Sequence, residues 1–365
     1  MAERQIRVLA LASKAAGLAP GQRYRFEQWA PHLKYDHGIS VDLLPFESDR
    51  LSKILYERGH FAEKAGLVGY DFLRRASALK VARTYDAILV YREASLIGPA
   101  IYERLLAWTG QPLILDFDDA IWSPAQAHLN GLFSRLHFYG KTSTICRIAS
   151  AVTVGNDYLS DYARKRNDQV FVIPSTIELA DYPKISEPAQ DEAFVVGWTG
   201  SASTLPHFET ARPALEDLAR QIPLKVRVIC NRPPDRPIAG AETEFVAWSV
   251  EDEAKQVGDC HVGIMPLPDD EVSRGKCGMK ALQFMATGRP VVASPVGVNS
   301  KIIRTGENGL LASTTDDYVD ALMKLALDAG LRRRMGEKAR RTIEQEYSAE
   351  AASRAFAEVV RSVVR

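Results

Sequence analysis

The chain has 365 residues, which is long for one domain and suits two domains of about 150 to 200 residues each. Lysine plus arginine and aspartate plus glutamate number 46 each, so no global charge favours nucleic-acid binding. No apolar run reaches the roughly 18 residues that span a bilayer, and the N-terminus enters a strand without a cleavage site, so we expect a cytoplasmic protein.

Short apolar runs alternate with helical stretches along the chain, which is typical of βα units. The first series of predicted strands covers 7–11, 41–44, 87–90, 113–115, 151–154 and 170–173. The second covers 194–198, 226–229, 244–246, 262–265, 291–293 and 310–311. We therefore predict a Rossmann-like domain at 1–175, a proline-containing linker at 176–192, a second Rossmann-like domain at 193–345 and a terminal helix at 346–365.

The loop after the first predicted strand contains Gly21, Arg23 and Arg25 at the start of a helix. Cations at this position oppose the helix dipole, so a bound anion would compensate for them. Surface ion pairing is the alternative.

Three carboxylates follow the predicted strand at 113–115. Asp116, Asp118 and Asp119 are close enough in sequence to raise one another's pKa, which favours proton chemistry or cation binding. We predict Asp118 or Asp119 as a catalytic group. Helix N-capping by Asp119 is the alternative.

Two glycine-containing loops follow strands of the second series. Thr199, Gly200 and Ser201 form one, and Gly275-Lys276-Cys277-Gly278 opens a predicted helix in the other. In an open parallel sheet, ligands lie beyond the carboxyl ends of the strands, where helix N-termini attract anions. We predict an anion cradle there with a point charge from Lys276. The alternative is that the glycines only turn the chain and that Lys276 and Lys280 are solvated.

These motifs resemble the donor-nucleotide half of the GT-B glycosyltransferases, specifically the retaining group called family 4. The family elements E-G-F-G, L-E-A-M-A and G-x-P-V-V-A-S correspond to 275–278, 282–286 and 288–294, with their spacing preserved. Its E-N-G-L-L element corresponds to 307–311. The paired glutamates of the family fall on Gly275 and Gln283, so neither carboxylate of that motif is present. An amide at Gln283 can still hydrogen-bond a ribose hydroxyl.

The resemblance implies an α/β GT-B fold, with two Rossmann-like domains facing across a cleft and a last helix that crosses back to the first domain. It implies sugar transfer from a nucleotide diphosphate sugar to a glycan, lipid-linked or small-molecule hydroxyl acceptor, with retention, in surface glycan or glycoconjugate biosynthesis. The donor is a co-substrate, and neither a cofactor nor a metal is expected. The residues that this implies are catalytic Asp118, Asp119 and Lys276; donor-binding Thr199, Gly200, Ser201, Arg274, Lys276, Gly278, Lys280, Gln283, Val298, Asn299 and Glu307; and, in the acceptor-side loop, Gly21, Arg23 and Arg25.

Several alternatives stay open at this point. Inverting chemistry would use Asp118 or Asp119 as a base. The missing glutamates favour a non-catalytic GT-B subunit that binds nucleotide or glycan, and a nucleotide-sugar epimerase shares the fold. A dinucleotide dehydrogenase is disfavoured because neither half has G-x-G-x-x-G after its first strand. The basic, amphipathic stretch at 51–83 is either a solvated helix face or a surface for peripheral contact with anionic lipid.

Overall fold

The computed structural model describes residues 4–55, 57, 59–124, 138–186, 188 and 193–364. The chain divides into two compact units, Met1–Ser175 with Ala349–Arg365, and Thr176–Ser348. The segment expected as a linker is grouped with the second unit, although its residues 187 and 189–192 lie outside the described part, as does Arg58 of the basic stretch. No helix within the described part is long and apolar enough to cross a membrane.

The first unit is a six-stranded parallel sheet in the order β2-β1-β3-β4-β5-β6. All six predicted strands are confirmed. Because β1 is paired with both β2 and β3, the winding reverses between β1 and β3, and a doubly wound sheet binds ligands at the carboxyl ends of such strands. The strands are β1 Ile6–Ala12, β2 Ile39–Pro45, β3 Ala87–Tyr91, β4 Leu113–Phe117, β5 Ala151–Val154 and β6 Val170–Val172. The helices are Pro20–Gln22, a π-helical turn Arg23–Glu27, Gln28–His37, Asp49–Ile54, Phe61–Arg74, Ser77–Ala82, Ile101–Ala107, Lys141–Ile148, Asp157–Arg164 and Ala349–Val363.

The last helix, Ala349–Val363, completes the core of the first unit. Phe356 on this helix is fully buried, and its ring centroid lies 5.7 Å from that of Trp29 on the helix Gln28–His37. Both rings belong to the cluster that includes Val8 of β1 and Ala87 of β3. Residues more than 300 positions apart in sequence therefore share one core.

The second unit is also a six-stranded parallel sheet, in the order β12-β11-β10-β7-β8-β9, with its winding reversal between β7 and β10. The six strands predicted here are confirmed as well. They are β7 Phe194–Thr199, β8 Leu224–Cys230, β9 Glu242–Ala247, β10 Val262–Met265, β11 Val291–Ala293 and β12 Gly309–Leu311. The helices are a 3-10 turn Ala202–Thr204, Leu205–Glu209, Arg212–Ala219, Glu253–Gly258, Glu271–Arg274, Met279–Ala286, Asn299–Ile302, Thr315–Leu327 and Ala329–Glu346.

Two glycines of this sheet let the helix Met279–Ala286 pack closely on it. Gly197 on β7 and Gly263 on β10 are paired in register, and a side-chain carbon added to either would meet the ring of Phe284. Phe284 is fully buried in the space that both glycines leave. This packing fixes the start of the helix beyond the carboxyl ends of β7 and β10.

Candidate functional site

Three loops of the first unit meet where β1, β3 and β4 end. A side-chain carbon added to Gly21 would lie 2.6 Å from Tyr91 Oη and 2.8 Å from Asp118 Oδ2, so only glycine allows this approach. Asp118 Oδ1 accepts hydrogen bonds from Tyr91 Oη at 2.8 Å and from Arg92 Nε and Nη2 at 2.8 and 2.6 Å. The structure thus brings together Gly21 and Asp118, which lie far apart in sequence.

The pKa of Asp118 differs from the expectation. Burial raises the pKa of this carboxyl, but the charges of Arg92 and Arg25 and the hydrogen bonds from Tyr91 and Arg92 outweigh burial and hold it below its usual value. The prediction of a raised pKa was therefore wrong for Asp118, because cations rather than neighbouring carboxylates surround it. A carboxylate with a lowered pKa is a weak base, which disfavours a proton-abstracting role.

The prediction that Arg25 contacts a bound anion was also wrong. Its guanidinium is completely buried and donates from Nε and Nη2 to the carboxylate of Asp116, at 3.0 and 2.5 Å, and from Nη1 to Ile173 O. Its charge is thus matched inside the fold. Arg23 is half-buried, and its guanidinium donates to Tyr24 Oη and lies 4.4 Å from the centroid of the Tyr24 ring.

Sequence reasoning missed Arg92, the cation that binds Asp118. Arg92 follows β3 with a φ of 62°, a left-handed conformation that is costly for a side-chain-bearing residue and that clusters at functional sites. Its amide donates to Asp116 O at 2.7 Å. Its position directly after the buried run 87–91 was the available signal, since residues at that end of a parallel strand face the ligand crevice.

Asp119 is buried, and its Oδ1 accepts from the amide of Ala120 at 3.1 Å. Among the residues described, no three histidine, cysteine, aspartate or glutamate side chains are grouped so that they could hold a metal ion.

The predicted anion cradle of the second unit is a helix start without a side-chain cap. Gly278 is the N-cap of the helix Met279–Ala286, and its φ of 75° is one that glycine adopts without strain. Because glycine has no side chain, it cannot satisfy the amides of the first turn, which an anion can bind instead. Lys276 is half-buried two residues before the cap. Anion binding at this helix start stays a prediction.

The same helix lies next to the carboxyl end of β7. The Lys280 ammonium lies 5.8 Å from the centroid of the Trp198 ring.

The expectation that amides near Gly200 bind phosphate was wrong, since these amides donate hydrogen bonds within the protein. The amides of Gly200, Ser201 and Ala202 donate to Ile229 O, Thr204 Oγ1 and Asn231 Oδ1, respectively. Thr199, the last residue of β7, is buried.

The loop after β11 packs against the loop after β10. A side-chain carbon on Gly297 would lie 2.8 Å from Arg274 O, and one on Gly278 would lie 3.2 Å from Val298 Cγ1. Val298 therefore lies next to the helix start, and its donor-binding role stays a prediction. Arg274 is exposed and pairs with Asp269 at 2.7 Å, where its hydrogen bond lowers the pKa of that carboxyl.

Gln283 lies in a buried polar network that the sequence did not predict. Its Nε2 donates to Glu253 Oε1 at 2.5 Å and lies 3.3 Å from Tyr182 Oη. Glu253 also accepts from Trp248 Nε1 at 2.9 Å and from Tyr182 Oη at 2.7 Å. A carboxylate thus stands next to the position where the family has its second glutamate, but it comes from the helix Glu253–Gly258.

The predicted donor contact of Asn299 stays a prediction, whereas that of Glu307 was wrong. The Asn299 side chain is fully buried, and its Nδ2 donates to Ser294 O at 3.0 Å within its own loop. Glu307 precedes the parallel strand β12, so it lies at the edge of the sheet opposite the carboxyl ends. Its neighbour Asn308 builds that turn by accepting from the Arg304 amide at 2.7 Å.

Comparisons with known proteins agree with this architecture. Residues 194–328 match the family model described as Glycosyl transferases group 1. A D-inositol 3-phosphate glycosyltransferase from Kribbella flavida is 42% identical over 64 residues, which are 17% of this chain and 15% of that protein. The chain therefore matches a small part of that curated relative.

Two solved structures resemble nearly the whole chain. Sucrose-phosphate synthase from Thermosynechococcus elongatus is 16% identical and covers 98% of each chain with a TM-score of 0.66. HepE from Anabaena, crystallised in complex with UDP and glucose, is 14% identical, with a TM-score of 0.66 over 98% of this chain and 100% of its own. These likenesses confirm the α/β fold, with two Rossmann-like units of the GT-B type.

Proposed function

We propose that the chain transfers a sugar from a nucleotide diphosphate sugar to a hydroxyl acceptor, because residues 194–328 match the group 1 glycosyl transferase model and the chain has a GT-B fold. One observation carries the proposal. Beyond the carboxyl ends of β7 and β10, the helix Met279–Ala286 begins with an uncapped turn next to Lys276. A diphosphate is the type of anion that such a helix start and a lysine bind together.

The chemistry requires charge stabilisation at the leaving group. The bond between the sugar C1 and a diphosphate oxygen breaks, a bond between C1 and the acceptor oxygen forms, and negative charge builds on the diphosphate. Lys276 and the first-turn amides of the helix stabilise that charge. In a retaining transfer the acceptor attacks from the face that the diphosphate leaves, and the hydroxyl proton passes to the departing diphosphate. The lowered pKa of Asp118 favours this route over one that uses Asp118 as a base.

Ligand binding tests the donor site first. HepE was crystallised with UDP, which makes UDP the first choice in a thermal-shift panel that also includes GDP, ADP and CDP. A ligand at 100 times its Kd stabilises the folded state by about 2.7 kcal/mol, so a binding nucleotide raises the melting temperature. The absence of a shift with every nucleotide would contradict the proposal.

Replacing Lys276 by alanine tests its role in turnover. We expect kcat/KM for sugar transfer to fall by about 100-fold or more, as when one group that stabilises transition-state charge is removed. Lys324→Ala is the matched control, because this lysine is exposed on the helix Thr315–Leu327. Equal activity of the two variants would remove Lys276 from the mechanism.

A second candidate function rests on Gly275 and Gln283, where the family has glutamates. On this candidate the chain binds a nucleotide sugar and serves a catalytic partner without turnover. Mass spectrometry of donor consumption distinguishes the two functions, with glycan, lipid-linked and small-molecule acceptors offered in turn. Consumption that depends on an acceptor supports the transferase, and consumption that depends on a glycan or lipid-linked acceptor supports its setting in surface glycan or glycoconjugate synthesis. Binding without consumption supports the second candidate, and conversion without an acceptor indicates an epimerase.

A further inference from the structure

A pocket lies at the amino-terminal ends of β10 and β11, whereas the proposed donor site lies beyond the carboxyl ends of β7 and β10. His261, which precedes β10, and Pro290, which precedes β11, line this pocket. All of its described lining residues belong to the second unit. The pocket has a volume of about 150 Å³, and a cavity of this size holds a benzene molecule in another protein. A phosphate group, which has fewer heavy atoms than benzene, therefore fits.

The helix Ala329–Glu346 forms one wall of the pocket because two glycines bring it close to the turn that precedes β11. A side-chain carbon added to Gly336 would collide with Gly288 O, so only glycine allows this approach. Arg333 and Glu337 are four residues apart on this helix, which places them on the same face. Both line the pocket.

The described residues that line the pocket include four cations and one carboxylate. The carboxylate is Glu337, and the cations are Lys184, Arg289, Arg332 and Arg333. A cleft lined mainly by one sign of charge concentrates the electric field and attracts ions of the opposite sign. The lining therefore favours an anion.

Two of these cations have roles in the fold. Arg289 Nε donates to Gly258 O at 2.9 Å, and Arg332 Nη1 donates to Leu325 O at 2.7 Å. Both carbonyls lie in the last turns of helices, where cations offset the negative end of the helix dipole. Direct binding of an anion is therefore argued from the other two cations.

Lys184 and Arg333 are the cations that are placed to bind a ligand. Both are exposed, and neither forms an ion pair with another residue in the described part of the chain. The hydroxyl of Ser186, which is exposed at the same pocket, adds a third donor. We propose that this pocket binds a phosphate-bearing anion through Lys184 and Arg333.

A phosphate group matches two cations better than a carboxylate does. It carries between about 1.5 and 2 negative charges at pH 7 and has three strong acceptor oxygens, and arginine and lysine are the side chains that bind it. A carboxylate has one charge and two oxygens. This site goes beyond the proposed sugar transfer and does not depend on it.

Isothermal titration calorimetry of the full chain with inorganic phosphate, in a phosphate-free buffer of low salt, tests the site. Lys184→Gln and Arg333→Gln should each weaken phosphate binding about 10-fold, since each removes a charge-assisted hydrogen bond. Glu337→Gln should strengthen phosphate binding about 2-fold, because it removes a like charge from the lining. Acetate should bind more weakly than phosphate, and added salt should weaken the binding of both.

Arg334→Gln and Lys338→Gln are the matched controls. Both side chains are exposed on the same helix as Arg333, and neither lines the pocket. Each control removes one positive charge, as the test variants do, so the net charge of the protein changes equally. Phosphate affinity should be unchanged in both controls.

The proposed donor site also attracts phosphate, so the titration is repeated with Lys276→Ala and with saturating UDP. Phosphate binding that survives both belongs to the pocket, whether or not the donor site binds a nucleotide. A titration with glycerol 3-phosphate then identifies the source of the phosphate group. Tighter binding than that of inorganic phosphate indicates a phosphate ester, and equal or weaker binding indicates free phosphate.

Three results would overturn the proposal. The first is no binding of either inorganic phosphate or glycerol 3-phosphate, and the second is equal affinity in Arg333→Gln and Arg334→Gln. The third is phosphate binding that Lys276→Ala or UDP abolishes, which would assign the anion to the proposed donor site. Circular dichroism of each variant checks that the fold is intact, and none of these measurements uses enzymatic activity.

Discussion

Carboxylates at the end of β4 are paired with cations one by one, although they are neighbours in sequence. Asp116 binds Arg25, and Asp118 binds Arg92 and the Tyr91 hydroxyl. Each pairing joins different loops, so these ion pairs hold the loop after β1 and the ends of β3 and β4 together. Like-charge repulsion, which the sequence suggested, is replaced by charge-assisted hydrogen bonds.

The Asp118 pair makes a prediction about pH. The pKa of the Asp118 carboxyl is lowered in the folded state. The stability that the ionised carboxylate contributes is therefore present above the unfolded pKa of about 4 and is lost as pH falls through the folded pKa. Asp118→Asn should lower the free energy of unfolding by about 1–3 kcal/mol at pH 7. The difference from wild type should shrink below about pH 4.

Urea denaturation of both proteins from pH 3 to pH 7 measures this difference. Asp217→Asn is the control, because Asp217 pairs with the exposed Arg220 at the surface and a surface pair contributes at most about 1 kcal/mol. A pH-independent effect of Asp118→Asn would contradict the assignment of the stability to an ionised Asp118.

The carboxylate next to Gln283 makes a second prediction. Gln283→Glu alone places two carboxylates within hydrogen-bond distance of each other, and Glu253→Gln alone removes the charge that accepts from Trp248 and Tyr182. Both single variants should be less stable than wild type. The double variant exchanges the two groups and restores one carboxylate facing one amide. We therefore expect a favourable coupling of about 0.5–3 kcal/mol in a double-mutant cycle measured with urea. Additive effects would mean that the two side chains do not act as a pair.

Glycines in the second sheet act at the scale of whole elements, because they set how closely a helix approaches. Gly263→Ala places a carbon against the Phe284 ring, so it should destabilise the unit by about 1–3 kcal/mol through overpacking. It should also weaken nucleotide binding, since Phe284 positions the helix that starts at Gly278.

Gly66→Ala is the matched control for Gly263→Ala. Its surroundings are open in the exposed helix Phe61–Arg74, so it should be neutral or stabilising by about 0.5–1 kcal/mol. Chemical denaturation and UDP titration of both variants measure these effects, and equal outcomes would contradict the packing argument.

Local sequence patterns were sufficient to predict the elements. All twelve strands came from short apolar runs between turn signals, and the helix after Gly278 came from its glycine and its apolar spacing. Those patterns depend on neighbours within a few residues. The contacts that decide the roles of side chains depend on distant loops instead. Arg25 reaches Asp116 across 91 positions and Gln283 reaches Glu253 across 30, and no local pattern encodes such pairs. Sequence reasoning therefore located the loops but misassigned Arg25 and Glu307.

At the scale of the whole molecule, the chain builds two separate cores, and its last helix belongs to the first of them. Phe356 is fully buried on that helix beside Trp29, and Phe208 is fully buried beside Trp198 in the second unit, with ring centroids 5.4 Å apart. Each phenylalanine therefore stabilises only the unit that contains it. In chain order, the last helix follows the whole second unit, although it belongs to the first.

This division predicts reciprocal effects of two core substitutions. Phe356→Ala should lower the stability of the first unit by about 3–5 kcal/mol, and Phe208→Ala should lower that of the second by a similar amount. Calorimetry with and without UDP assigns the transitions, because a nucleotide bound to the second unit raises the transition of that unit. Phe356→Ala should shift the transition that UDP leaves unchanged, whereas Phe208→Ala should shift the one that UDP raises. A single transition that both variants lower equally would show that the two cores unfold as one cooperative unit, since independent cores cannot transmit the loss of a buried ring to each other.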